Sequence, residues 1–163
     1  MEHVGFREIL DEAIDATGAP IAQLLVPRGD RFETELLGGL AMAGKSPPRS
    51  LKQIAEALGD SSHLRTFLPR LRRSDGRACI GRCEAPMRAA LENGAPLMSV
   101  FFPLRSDGAL AGVLRFLYAG QPPKAQVRML RGFAERIELR LDAEILRQRL
   151  ADQAIAQRTI QDL

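Results

Sequence analysis

Few residues in this chain carry chemistry, and they do not converge on a catalyst. Its two cysteines are Cys79 and Cys83. Four residues apart in a strand, they would share a face yet sit roughly 13 Å from each other. That is too far for a disulfide or a shared metal ion. Only a tight turn at Gly81 would bring them together, so a redox thiol pair is the least favoured use of them. A zinc site needs about four ligands, and the two histidines, His3 and His63, stand at no finger spacing. His63 as a haem ligand is weaker than His63 as an ordinary surface or capping residue. The chain holds no Gly-x-Ser-x-Gly and no His-Glu-x-x-His, and Ala43-Gly44-Lys45-Ser46 lacks the glycine four residues upstream that a phosphate-binding loop requires. The expectation is a protein that is not an enzyme. What remains is Arg115, a charge set deep in an apolar strand, and Gln23, a polar residue in the middle of another.

Composition bounds the partners. The 163 residues are close to the length of one domain. Twenty-three basic against 20 acidic residues leave a net charge of +3, too mild to argue for nucleic acid. The basic cluster of Arg65, Arg70, Arg72, Arg73 and Arg77 reads as a solvated face. With 5% aromatic residues and no Trp, a base-stacking surface is not expected. No run of about 18 apolar residues suggests a membrane span, and the N-terminus lacks a basic stretch followed by an apolar one. Two cysteines without an export signal suit a reducing cytoplasm.

The elements that must position Arg115 and Gln23 follow from periodicity. Phe6, Ile9, Leu10, Ala13 and Ile14 form one stripe of an amphipathic helix, with Gly18 suited to end it. Ile21 to Val26 reads as a strand stopped by Pro27, and Arg31 to Leu37 as its hairpin partner. Helices are expected from Ser50, from Ser61 or Ser62, and over Pro86 to Asn93. Arg77 to Cys83 is a short strand candidate between them. Ser99 to Tyr118 is a hairpin about Asp107-Gly108, and from Lys124 to Leu163 only Gly132 interrupts a helix. The order predicts an α+β fold: a central antiparallel sheet of five to six strands, with the terminal helices on one face and a helical insert over the other.

The residues and their order resemble GAF domains. Val100 to Phe116 looks like the family's hallmark: an apolar strand closing on Pro103 and Leu104, a turn with Gly108, then the strand opening Gly112, Val113, Leu114. Ile9 to Val26 is similar to the family's first helix and first strand, and Leu130 to Leu141 to its last helix. The resemblance spans the chain to about Leu146, giving a sensor domain over residues 1–146 and a signalling helix over 147–163. It implies a GAF/PAS-like input module of a bacterial signalling protein, with a ligand pocket between the sheet and the insert. Methionine sulfoxide reductases of this kind carry a Gly-Val-Cys-Gly-like segment that is absent here. Bilin-binding members usually place His after the attachment Cys, whereas Ile80 follows Cys79 and Glu84 follows Cys83. The cofactor or ligand is left unknown.

Strict alternation along the hairpin pairs Phe102 with Val113 and Val100 with Arg115. One face then carries Val100, Phe102, Val113, Arg115 and Leu117, and the other Ser99, Phe101, Leu114, Phe116 and Tyr118. The second is assigned to the terminal helices and the first to the pocket. Arg115 would there anchor a carboxylate or phosphate, Phe102 would form the apolar wall, and Gln23 would be a weaker contact. The competing reading has Arg115 snorkel at the sheet edge or pair with an acid of the insert.

Forty helical residues would span roughly 60 Å, while a domain built from the other ~120 has a radius of gyration near 13–14 Å. The last helix must overshoot. Leu139, Ala143, Leu146, Leu150, Gln153, Gln157 and Ile160 step by four and three, a heptad seam. A parallel homodimer is expected. An effector such as a histidine kinase, a diguanylate cyclase or a transcription activator is expected to follow.

Overall fold

The computed structural model describes residues 4–19, 21–28, 31–39, 69, 78–82 and 97–162. Its elements are α1 (Val4–Thr17), β1 (Ile21–Arg28), β2 (Arg31–Gly39), β3 (Cys79–Arg82), β4 (Leu97–Ser106), β5 (Ala109–Ala119) and α2 (Lys124–Gln161). The strands form one antiparallel sheet in the order β2-β1-β5-β4-β3. The α+β class and the antiparallel sheet are those expected. The three helices expected between Ser50 and Asn93 lie, Pro69 apart, outside the described residues.

α1 forms where the apolar stripe predicted it. Phe6, Leu10 and Ala13 are fully buried and Ile9 nearly so. Burying each of the larger three contributes roughly 1.5–3 kcal/mol. Gly18 closes the helix at φ 66, its N–H donating to the Ile14 carbonyl at 2.7 Å. A Cβ would be strained at that angle. β1 does not stop at Pro27 as expected but runs to Arg28. Its pairing with β5 has ended at Leu25, so the proline's missing N–H removes no bond on that side.

The β4–β5 hairpin turns at Asp107 and Gly108, both at positive φ (53 and 75), the conformation a two-residue turn requires. The register then departs from strict alternation. Arg105 pairs with Leu110 but Leu104 with Gly112, so Ala111 is an extra residue on β5. This bulge shifts every later β4 partner by one. Phe102 lies opposite Leu114, not Val113, and Phe101 lies opposite Arg115.

The faces of β4 are therefore exchanged relative to the expectation, while those of β5 are as read. Val100, Phe102, Leu104, Leu114, Phe116 and Tyr118 pack with α1 and with Leu130, Ala134, Ile137 and Leu141 of α2. Phe102 meets Phe116 edge-on, with ring centroids 6.2 Å apart. Gly112 sits at a close approach: a Cβ there would stand 2.9 Å from the Leu25 carbonyl oxygen.

α2 runs 38 residues, about 57 Å at 1.5 Å per residue. Arg136 bridges to Glu12 of α1 at 2.8 Å. The hairpin tip is clasped to α2 as well. Glu138 accepts from the Arg105 N–H at 2.9 Å, Asp142 accepts from the Ser106 hydroxyl, and Arg149 lies 3.7 Å from Asp107. Beyond Ile145 every described residue of the helix is exposed.

Candidate functional site

Arg115 projects from β5, the middle strand of the five, onto the sheet face turned away from α1 and α2. It is the largest fully buried side chain among the described residues, at 1% exposure. Its surroundings follow from register. Across the β4 ladder stands Phe101, whose ring the guanidinium overlies at 5.2 Å. The aromatic quadrupole favours a cation over that face. Ser99, two residues back on β4 and therefore on the same face, accepts from Arg115 Nε at 3.0 Å and from Nη2 at 2.8 Å. Across the β1 ladder stands Gln23, also 1% exposed. Its Nε2 donates to Thr34 Oγ1 at 2.6 Å.

Two forces hold this arrangement. The hydroxyl of Ser99 takes two guanidinium N–H groups into one acceptor and fixes the side chain's direction. Around it, Leu25, Phe101 and Val113 form a small apolar cluster joined by the partly buried Phe32 and Leu110. An arginine fork oriented by hydrogen bonds and stacked on a ring is organised to read a planar or tetrahedral anion. Burial at this level removes the screening that weakens such contacts in water.

Of the residues singled out from sequence, Arg115 and Gln23 are brought side by side. Phe102 is not with them: it belongs to the helix-side core, because the bulge at Ala111 moved it to the other face. Phe101 and Ser99 stand in its place, and Thr34 joins them from β2. Cys79 pairs with Phe101 in register, and Cys83 lies outside the described residues, as do His3 and His63. Among the described residues, no three His, Cys, Asp or Glu side chains gather as metal ligands, and no helix is long and apolar enough to cross a membrane.

Titration is perturbed elsewhere. The hydrogen bond and charge of Arg136 hold the Glu12 carboxyl below the ordinary glutamate value of 4.5. Burial raises the Tyr118 phenol above its usual 10, an effect that nearby Thr17 partly offsets. The Thr17 hydroxyl itself donates to the Ala13 carbonyl at 2.6 Å, and among the described residues the Tyr118 hydroxyl has no well-formed hydrogen-bond partner.

No protein family's sequence profile matches the chain, and no curated protein matches it. Solved structures do. GAF3 from Slr1393 of Synechocystis sp. PCC6803, in its photoproduct state, superposes with a TM-score of 0.63 at 15% identity, over 89% of this chain and 96% of that one. The GAF domain/HD domain protein from Geobacter sulfurreducens gives 0.59 at 12% identity, over 83% and 89%. A domain described as part of a two-component sensor histidine kinase protein from Sinorhizobium meliloti 1021 gives 0.58 at 15% identity, over 94% and 97%. The chain has a GAF-like fold.

Proposed function

We propose that this chain is a small-molecule-sensing input domain of a cytoplasmic signal-transduction protein, a binding module and not an enzyme. The observation that carries the reading is Arg115: a buried, oriented cation on the central strand, facing away from the terminal helices. Its guanidinium is held in one direction by Ser99 over the Phe101 ring, a presentation suited to an anionic group of a ligand. On this reading the ligand carries a carboxylate or phosphate, bound by Arg115 with Gln23 and Phe101 beside it. Output runs through α2 in a dimer to an effector of the kind named for the structural neighbours, a histidine kinase being one. The GAF-like fold, and the sensor proteins in which such folds occur, support the assignment.

The same burial favours a second reading. Arg115 at 1% exposure, hydrogen-bonded to Ser99, is also what a pocket filled by the chain's own side chains would show. The domain would then be a dimerisation scaffold.

Thermal shift against a panel of small carboxylates and nucleoside monophosphates separates the two. A ligand at 100 times its Kd stabilises by about 2.7 kcal/mol, a shift of several degrees. Stabilisation of the wild type and not of Arg115→Met supports the sensor. Binding equal in both proteins removes Arg115 from the site, and silence across the panel favours the scaffold.

A further inference from the structure

The tip of the β4–β5 hairpin is tied to α2 at the place where that helix leaves the domain. Consecutive tip residues meet one stripe of the helix. The Arg105 N–H donates to the Glu138 carboxylate at 2.9 Å, the Ser106 hydroxyl donates to Asp142, and Asp107 lies 3.7 Å from Arg149. Residues 138, 142 and 149 fall within about 40° of one another around the helix. The stripe straddles Ile145, which packs on the core and beyond which the helix is exposed. The contacts of Glu138 and Asp142 are partly buried and end on carboxylates, the stronger kind of hydrogen bond. The third is exposed at both ends and adds little.

The same two strands carry the Arg115 site. Ser99 and Phe101 stand on β4 and Arg115 on β5. Four residues of β4, about 13 Å, separate the ring under the guanidinium from the Arg105 amide held by α2. Over that stretch the hairpin loses its neighbours: the described pairing of β4 with β3 ends at Phe101, and that of β5 with β1 at Val113. What continues to the tip is a two-stranded ribbon, an element that twists more than a sheet and is marginal alone. It also carries the bulge at Ala111, which bends the strand and sharpens its twist. Phe102 and Leu104 of the ribbon share the core with Ile137 and Leu141 of α2. The angle of this ribbon is therefore set by the site at one end and by α2 at the other.

We propose that the hairpin end is the coupling element between the Arg115 site and α2. The state of the site sets the twist of the ribbon, and the bonds to Glu138 and Asp142 carry that twist to the point where α2 leaves the domain. The inference rests on the reading of Arg115 as the sensing site and deepens it, assigning Ser106, Glu138 and Asp142 as positioning residues for the output helix.

Hydrogen exchange of the whole chain, read by mass spectrometry over residues 142–152, tests it. The site is perturbed by Arg115→Met and, independently, by Ser99→Ala. The clasp is cut by Ser106→Ala with Glu138→Ala, which places a strong helix former in α2. Amides in this exposed segment exchange by local opening, so Leu10→Val, which weakens the core away from the hairpin, should leave them unchanged. Each site variant should lower protection of the segment by about fivefold, a modest coupling between linked sites, and so should the clasp variant. A site variant combined with the cut clasp should lower it no further. The coupling is overturned if the site variants leave the segment unchanged, act as strongly after the clasp is cut, or act no more strongly than Leu10→Val. No ligand enters the measurement, so those outcomes leave the sensor reading standing; it falls separately, on silence in the thermal-shift panel.

Discussion

The Arg115 guanidinium stands 5.2 Å from the centroid of the Phe101 ring, its direct partner across the β4–β5 ladder. Together with the two hydrogen bonds to Ser99, this makes the middle of the sheet a polar point in an apolar field. Removing one member strands the others. Ser99→Ala should destabilise by about 1–3 kcal/mol, the desolvation left on two N–H donors. Arg115→Ala should cost about 2–4 kcal/mol through cavity and lost partners. A double-mutant cycle by urea denaturation should give a coupling of at least about 0.5 kcal/mol. Additive losses would mean that the two hydrogen bonds carry no stability.

Gly112 is required by approach, not by backbone angle. A Cβ would press on the Leu25 carbonyl, which is itself fixed in the β1 ladder. Gly112→Ala should therefore destabilise by about 1–3 kcal/mol, whereas Gly132→Ala, where nothing lies within 4 Å, should stabilise α2 by up to about 1 kcal/mol. Melting temperatures of the two variants should move in opposite directions.

The Tyr118 hydroxyl is buried without a well-formed partner among the described residues. Tyr118→Phe should leave stability unchanged or raise it by up to about 1 kcal/mol. A clear loss on chemical denaturation would show that the contact with Thr17 is stronger than its geometry suggests.

The α1–α2 bridge sets a pH dependence. Arg136 depresses the Glu12 pKa below 4.5 in the folded chain. The unfolded state therefore takes up its proton first as pH falls. The bridge's contribution is fully present above about pH 4.5 and fades as pH drops through the lowered folded value. Glu12→Gln should flatten that part of the acid-unfolding profile and, because the pair is exposed, change neutral-pH stability little. A profile identical in the two proteins would show that the bridge is not held in solution.

Much of the fold was legible in sequence because it rests on local rules. The stripe from Phe6 to Ile14, the positive-φ Gly18, the Asp107-Gly108 turn and the unbroken helix after Pro123 each announce themselves through spacing or residue type. At the spacings where helix neighbours meet, Arg131 lies 3.6 Å from Glu135 and Arg147 2.9 Å from Glu144. The site was half legible. Arg115 and Gln23 stood out as polar residues in apolar strands, but which β4 residues face them depends on the bulge at Ala111. A bulge shifts register by one without changing composition or hydrophobic pattern, and both β4 faces are apolar enough to be buried either way. Ser99, a lone hydroxyl between Met98 and Val100, was the available signal for the correct face.

Native mass spectrometry of the gently purified chain, at low and high declustering energy, tests the central claim of ligand sensing at Arg115 most directly. Expected is a dimer carrying a small removable anionic adduct, absent from Arg115→Met prepared in the same way. A clean dimer whose spectrum is the same in both proteins would contradict it.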